Sequence, residues 1–412
     1  MAEVNIPEGY GIPLANLSTG ELPGPTMGAL DARFSPATGP VRRTSGFVVM
    51  GDSISSDGGS VYGHAWHYQL AQLSHQVMRH RGVFAAGGYT LQQMEDEYLP
   101  QVLAMNPKPQ VCIIQGGTNN TSGSEADALA SHERIRNALL AAGITPGLWL
   151  LCPRSDNATV RDRTTRWNAI MQTLAADNGW PIIDAYTPLV DPATGAWKAG
   201  TNLNSDHVHP NRLGHTYIAQ YVAQDPRARS FFLDTPPVIA WSNVDTSNLA
   251  QNALAIGDSN ADGLANQWSS YGSPTRSLHP AAVGNWQRMS LAASSNPNGG
   301  IRNISVAVTP GHVYEVAVLA HVDMDPDAPN VRYVASISHR AGTTTVRTDT
   351  MIDLGGVLDT YAVGYRRGVI PATTTSIWID IAFNNNSTQT TREVYGEVSQ
   401  LLIRDLTALG LA

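Results

Sequence analysis

The chain has 412 residues, a formal net charge of −8, 42% hydrophobic and 15% charged residues. That length exceeds one ordinary core, and that apolar content excludes global disorder, so two domains with extensions are expected. An acidic chain without a basic run excludes nucleic acid and anionic membrane surfaces as expected partners, and no apolar stretch reaches the ~18 residues of a membrane span.

Residues 1–45 are rich in Pro and Gly without a sustained period, as in Ile6-Pro7-Glu8-Gly9 and Leu22-Pro23-Gly24-Pro25. They read as an extended arm suited to attachment or homo-oligomer formation rather than as a folded domain. The N-terminus lacks the basic and apolar regions of a secretory signal. Either a signal has been removed or the protein leaves the cell by another route.

From Gly46 the pattern changes. Phe47-Val48-Val49-Met50 is a short apolar run, followed by a helical stretch from about Gly63 to His80. Strands are expected at Val83–Ala86, Val111–Gln115, Leu148–Cys152 and Pro181–Asp184, with helices near Leu91–Met105, Glu125–Ala142, Arg161–Asn178 and Leu213–Val222. Short, fully apolar strands alternating with amphipathic helices predict an α/β domain over 46–230, its parallel sheet covered on both faces. Cys112 and Cys152 sit at staggered positions in two of these strands and read as buried hydrophobes rather than a disulfide.

Residues 231–240, with Asp234-Thr235-Pro236-Pro237, read as a linker, and beyond them a period of two takes over. Ile304–Val308 and Val313–Leu319 around Pro310-Gly311 predict a hairpin, and Ser376–Phe383 and Val394–Ile403 are further strands. Residues 241–412 are therefore expected to form an all-β sandwich of jelly-roll type.

The residues that carry chemistry fall just after successive strand ends, where an open parallel sheet builds its ligand site. Gly51-Asp52-Ser53 follows the first strand, where a serine at a strand-to-helix turn exposes its hydroxyl beside free amides. Gly87-Gly88 follows the second, and a glycine lets a bare N–H approach a substrate oxygen. Gly116-Gly117-Thr118-Asn119 follows the third and supplies a side-chain amide. Asp206-His207-Val208-His209-Pro210 follows the fifth, with Asp206 placed to orient His209 so that the imidazole activates Ser53. A nucleophile, a base, a group to hold the base and donors for an oxyanion are thus present in order.

These residues resemble the blocks of the SGNH (GDSL-type) hydrolase family. Gly51-Asp52-Ser53 is similar to its nucleophile block, Gly88 to the glycine of its second, Gly117-Thr118-Asn119 to its third, and Asp206-x-x-His209-Pro210 to its fifth. The resemblance covers about residues 46–225. It implies a flavodoxin-like three-layer αβα fold, ester or acyl hydrolysis with no cofactor required, and an oxyanion hole formed by Gly88, the side-chain amide of Asn119 and the backbone N–H of Ser53. Two positions depart from the family pattern: Val83 stands where the second block usually begins with Asn, and the third reads Asn119-Asn120 rather than Asn-Asp.

Other features carry weaker signals. A second triplet, Gly257-Asp258-Ser259, runs into Asn260-Ala261-Asp262-Gly263 with no Asp-x-x-His downstream, so it reads as a loop. Asp258, Asn260 and Asp262 also resemble the start of a calcium loop, but Ser269 occupies the place of the bidentate Glu; an Asx-rich turn is the preferred reading and a structural calcium the alternative. His64 and His67 read as a polar helix face near the site, and His207 and His215 as supporting residues. Trp66, Tyr89 and Arg154 are candidates to line the substrate pocket. Trp268, Tyr271, Trp286, Tyr361, Tyr365 and Trp378 read as core before sugar platform.

The leading expectation is a serine esterase that removes acetyl or similar small acyl groups from a glycan held by a C-terminal domain similar to a carbohydrate-binding module. A lipid or thioester hydrolase is one alternative, and a virion binding protein with a vestigial hydrolase domain another. The arm, the missing signal and the domain pairing resemble tail proteins of bacteriophages that infect actinobacteria, which implies an extracellular or virion location.

Overall fold

Phe47, Val48, Val49 and Met50 are completely buried, and they form the strand on which the first domain is assembled. The computed structural model describes residues 46–56, 65–120, 125–155, 158–201, 206–232, 246–272, 274–281, 283–293, 299–303, 305–328, 330–384 and 389–412. The expected arm (1–45), His64 and all but the first two residues of the expected linker lie outside them.

Five strands make the first sheet: β1 (Phe47–Gly51), β2 (His80–Ala85), β3 (Val111–Gln115), β4 (Thr145–Leu150) and β5 (Ile182–Asp184). All pair in parallel in the order β2-β1-β3-β4-β5. The helices are α1 (Trp66–Leu73), α2 (Leu91–Gln93), α3 (Leu99–Ala104), α4 (Glu125–Ala141), α5 (Ala158–Asn178), α6 (Arg212–Gln224) and α7 (Pro226–Ser230), with a π-helical turn at Met94–Tyr98 joining α2 to α3. This strand order reverses direction between β1 and β3, and such a switch point opens a crevice at the carboxyl ends of the two strands. It is the α/β fold expected. Cys112 and Cys152 are free, buried thiols.

The helix expected to reach His80 stops at Leu73. Ser74 caps it, and His75 and Gln76 take left-handed φ values of 55° and 64°, which no helix continues through. The same helix corrects the reading of His67 as part of a polar face, because every residue of α1 is buried. One side packs on α6 and β2, the other on strands of the C-terminal domain. Sequence periodicity gives the helix but not its burial on every side, since polar groups such as Gln72 find their partners across the domain boundary.

The second half is wholly β. One sheet runs β13 (Thr344–Leu354), β12 (Arg332–Ala341), β15 (Ser376–Asn384), β9 (Gly299–Asn303), β6 (Trp268–Gly272), with β10 (Val306–Ala307) on β15. The other runs β14 (Thr360–Val369), β11 (Val313–Asp323), β16 (Val394–Asp405), β8 (Asn285–Leu291), β7 (Thr275–Pro280). Ile337, Ile379, Ile381 and Phe383 on one sheet and Val316, Val318, Ala320 and Val322 on the other are buried, as in a sandwich, and β11 is buried on its other face as well.

The hairpin expected across Pro310-Gly311 does not form. Val306 and Ala307 pair with Ile377 and Ser376, whereas β11 pairs with β14 and β16, so the chain crosses from one sheet to the other. Gly311 N–H donates to Ile370 O and Thr309 N–H to the Tyr314 hydroxyl, fixing a crossover. A period of two identifies a strand without naming its partner.

Both domains belong to one compact unit, Arg43–Gly410. The Asp353 amide donates to Gln72 Oε1 (3.2 Å), Gln76 Nε2 donates to Val363 O (2.8 Å), and the Arg79 guanidinium lies 4.9 Å from the Tyr365 ring centre. Asp353 also meets Arg332 of its own domain and, at 3.8 Å, Arg212 at the start of α6. Burial pushes the Asp353 carboxyl up to about 7, against the pull of those two guanidiniums.

Candidate active site

Gly51 ends β1 where a side chain has no room: a Cβ there would stand 2.6 Å from Gln115 Oε1 and 2.8 Å from Ser55 Cβ. The chain turns sharply after it, and Asp52 closes the turn. Its Oδ1 accepts from the Ile54 amide (2.9 Å) and from Gln115 Nε2 (2.8 Å), while its own amide donates to Gln115 Oε1 (3.0 Å). Gln115, at the end of β3, therefore clamps the turn to the neighbouring strand. Sequence reading missed Gln115; the available signal was its place immediately before Gly116-Gly117 at a strand end.

Ser53 is presented by this turn. Its hydroxyl lies 2.7 Å from His209 Nε2. On the far side of the ring, His209 Nδ1 lies 2.7 Å from Asp206 Oδ2. The other Asp206 oxygen accepts from the amides of Val208 (2.9 Å) and His209 (3.0 Å), so the carboxylate fixes both the loop and the imidazole. With Nδ1–H donating to Asp206, Nε2 is the acceptor for the Ser53 proton.

Two carboxylates here have opposite environments. Burial pushes Asp52 up to about 6 despite its hydrogen bonds, and its Oδ2 has no partner among the described residues. Burial also acts to raise Asp206, but the Val208 and His209 amides and the His209 ring outweigh it and hold the group below the usual carboxylate value. Asp206 is therefore ionised at neutral pH, the state that favours an imidazolium beside it.

The expected oxyanion donors follow three neighbouring strand ends, Ser53 after β1, Gly88 after β2 and Asn119 after β3. Neither the Ser53 nor the Gly88 amide donates to a partner among the described residues. Gly88 adopts φ +80°, with open space where a Cβ would be. Asn119 donates through Nδ2 to Tyr89 O at 3.1 Å, which leaves its second amide hydrogen for another acceptor. Asn120, where the family pattern has Asp, accepts from the Leu91 amide and, through its carbonyl, from Arg163, and so ties the β3 loop to α2 and α5.

The supporting residues sort by burial. His67 is fully buried with Nε2 3.1 Å from Ser55 O, and burial pushes its pKa down to about 4. Burial likewise pushes His215 down to about 3. His207 takes φ 61° and hands its carbonyl to Trp197 Nε1. Trp66 belongs to the core and donates to Ser55 Oγ (3.1 Å), so it does not line a pocket. Tyr89 donates to Glu97 and stacks on Tyr98 at 4.9 Å. Arg154 does line a cleft, together with Ile54, Thr118, Val208 and Arg163.

The second triplet is built differently. Asp258 accepts from the Asp262 and Gly263 amides, Asn260 Nδ2 donates to Asp262, and Ser259 donates through both N and Oγ to Asn266 Oδ1. This is the Asx turn anticipated, its carboxylate oxygens already engaged with backbone. Of the aromatic residues, Trp268 is buried, whereas Tyr271, Trp286, Tyr361, Tyr365 and Trp378 lie outside the core. Trp378 has Arg302 at 4.3 Å and Arg340 at 4.4 Å from its ring centre, from strands on either side, and Tyr361 stacks on His321 at 4.2 Å. Those contacts occupy ring faces a sugar would need.

The fold and the juxtaposed Ser53, His209 and Asp206 define a hydrolase-type α/β domain. Residues 49–217 match the GDSL-like Lipase/Acylhydrolase family. Similar solved structures include a G-D-S-L family lipolytic protein from Desulfitobacterium hafniense (19% identity, 44% of this chain and 99% of that one, TM-score 0.38). An acylhydrolase from Bacteroides fragilis shares 20% identity over 51% of this chain and 100% of its own, with a TM-score of 0.38. An acetyl xylan esterase shares 20% over 42% and 95%, with a TM-score of 0.33. No curated protein matches the chain.

Proposed function

We propose that the protein is a serine esterase that removes acetyl or similarly small acyl groups from a polysaccharide held by its C-terminal domain. The observation that carries this reading is the continuous line Ser53 Oγ–His209–Asp206, with 2.7 Å at each step. His209 Nε2 takes the Ser53 proton as Oγ bonds to the ester carbon. The oxygen that becomes negative receives N–H groups from Ser53, Gly88 and Asn119. Collapse expels the alcohol, which takes its proton from His209, and leaves an acyl-Ser53 ester. Water then repeats the sequence and releases the acid. Every group in this scheme belongs to the chain itself.

A small acyl group is favoured by the charged residues of the cleft that Ile54, the residue after the nucleophile, helps to line. Arg154 and Arg163 at its lining are poor company for a long alkyl chain. We place the protein outside the cell or on a virion, with the N-terminal arm as its attachment segment; the domain pairing supports this. Nitrophenyl esters of increasing chain length, followed alongside acetate release from acetylated polysaccharides, test the reading. Acetate should be the preferred acyl group, and a preference for octanoate would overturn it. Absence of both turnover and fluorophosphonate labelling would remove the enzyme altogether.

A further inference from the structure

The base of the proposed reaction sits in a partly exposed loop. The side chains of His209 and Asp206 are 33% and 40% exposed. A pair so exposed does little to hold a backbone in place, because solvent screens the attraction and two mobile side chains must be ordered. The loop is also strained. His207, between Asp206 and His209, takes a left-handed φ of 61°, a region that a residue with a Cβ avoids. Left to itself, this residue relaxes to negative φ and carries the His209 ring away from Ser53. Contacts from outside the loop must therefore hold it.

The segment Trp197–Thr201 supplies them on both sides of the base. Two residues before His209, the His207 carbonyl accepts from Trp197 Nε1 at 3.1 Å. Two residues after it, the Asn211 amide donates to Thr201 O (3.0 Å) and Asn211 Nδ2 donates to Gly200 O (2.5 Å). Asn211 Oδ1 in turn caps α6 by accepting from the Gly214 amide (2.9 Å). One short stretch of chain thus brackets the base.

That stretch is itself firmly built. Trp197 is 8% exposed and forms an antiparallel bridge with Val190. The Asp191 amide donates to Ala196 O (2.9 Å) and the Lys198 amide to Leu189 O (2.7 Å), which closes the loop that follows β5. Leu189 and Thr201 are completely buried, and the Thr201 hydroxyl donates to Lys198 O (2.6 Å). An indole packed in this way offers its N–H from a fixed point, since a large buried ring moves only with the packing around it.

We propose that the segment Trp197–Thr201 positions the catalytic base, with Trp197 as its principal positioning residue. The indole N–H holds the strained His207 carbonyl and so sets the distance from His209 Nε2 to Ser53 Oγ. Trp197 acts through the backbone of the loop and not on the reacting atoms. One hydrogen bond and one left-handed residue are of the same order in energy, so loss of the bond is enough to release the loop. The proposal rests on the esterase reading, in which His209 takes the Ser53 proton.

The test uses the full chain, with nitrophenyl acetate turnover, melting temperature and circular dichroism measured together. Trp197→Phe keeps a ring and removes the N–H. It should lower kcat about tenfold, with KM within about twofold and the melting temperature within a few degrees of wild type. His207→Gly added to that variant removes the Cβ that makes a left-handed φ costly, and should regain about threefold or more in kcat. A role in packing alone predicts no such rescue, because glycine at 207 restores no contact of the indole. Unchanged kcat in Trp197→Phe overturns the proposal, as does a loss carried by KM or one that His207→Gly leaves in place. Should Trp197→Phe fail to fold, Asn211→Ser decides, since it keeps an oxygen to cap α6 and removes the donor to Gly200. Its kcat should fall about threefold with KM unchanged, and full kcat there overturns the bracketing. Wild type that neither hydrolyses the ester nor takes a fluorophosphonate label sinks the esterase reading, whereas active wild type with indifferent variants sinks this proposal alone.

Discussion

Gly51-Asp52-Ser53 and Gly257-Asp258-Ser259 are the same three residues in two places, and in both the aspartate side chain closes a turn by accepting backbone amides. What differs is the serine. Ser259 gives its hydroxyl and its amide to Asn266, seven residues on, so its hydrogen bonding is satisfied locally. Ser53 gives its amide to nothing described and its hydroxyl to His209, 156 residues away. The triplet therefore encodes a turn. A reactive serine results only where a parallel sheet delivers a base to the same strand end.

Substitutions can break or sharpen this contrast. The largest effect is expected from Ser53→Ala, which should lower kcat/KM on nitrophenyl acetate about 10⁴-fold or more with the fold intact. Asp206→Asn should follow, at about 10²- to 10⁴-fold, because His209 loses the partner that fixes its tautomer; retention of full rate would show that Asp206 only ties the loop. Asn119→Ala should cost about 10- to 10³-fold, mainly in kcat, as expected for a donor to the developing oxyanion. A loss confined to KM would assign Asn119 to binding instead.

Smaller effects concern stability. The folded-state pKa of Asp52, about 6, lies above its ordinary 3.8, so the folded chain holds this proton more firmly than the unfolded one. Its contribution is fully present below about pH 4 and is lost as pH rises through 6, by about 3 kcal/mol. Asp52→Asn cannot ionise, so melting temperature should fall less between pH 4 and 7 than in the wild type, and parallel curves would refute the assignment. Ser259→Ala should change stability by about 1 kcal/mol or less and leave turnover unchanged, since it removes one exposed hydrogen bond. A large loss of activity there would erase the distinction between the two triplets.

The interface between the domains was the part least visible beforehand. α1 is buried on all sides, with Gln72 and Gln76 bonded to Asp353 and Val363 nearly three hundred residues on. His67, Gln69 and Gln72 make this helix look as if it has a solvent-facing polar side, and its expected length was too long by several residues.

The strands and helices around Ser53, and the order in which Gly88, Asn119, Asp206 and His209 arrive, could be read directly. Apolar runs, glycine turns and Asx spacing are local properties, and the parallel sheet follows from their alternation. Partners are not local. That Gln115 clamps Asp52 and that the chain crosses between sheets after Ala307 were decided by tertiary structure alone. Each depends on contacts between distant segments, whose identity no periodicity specifies.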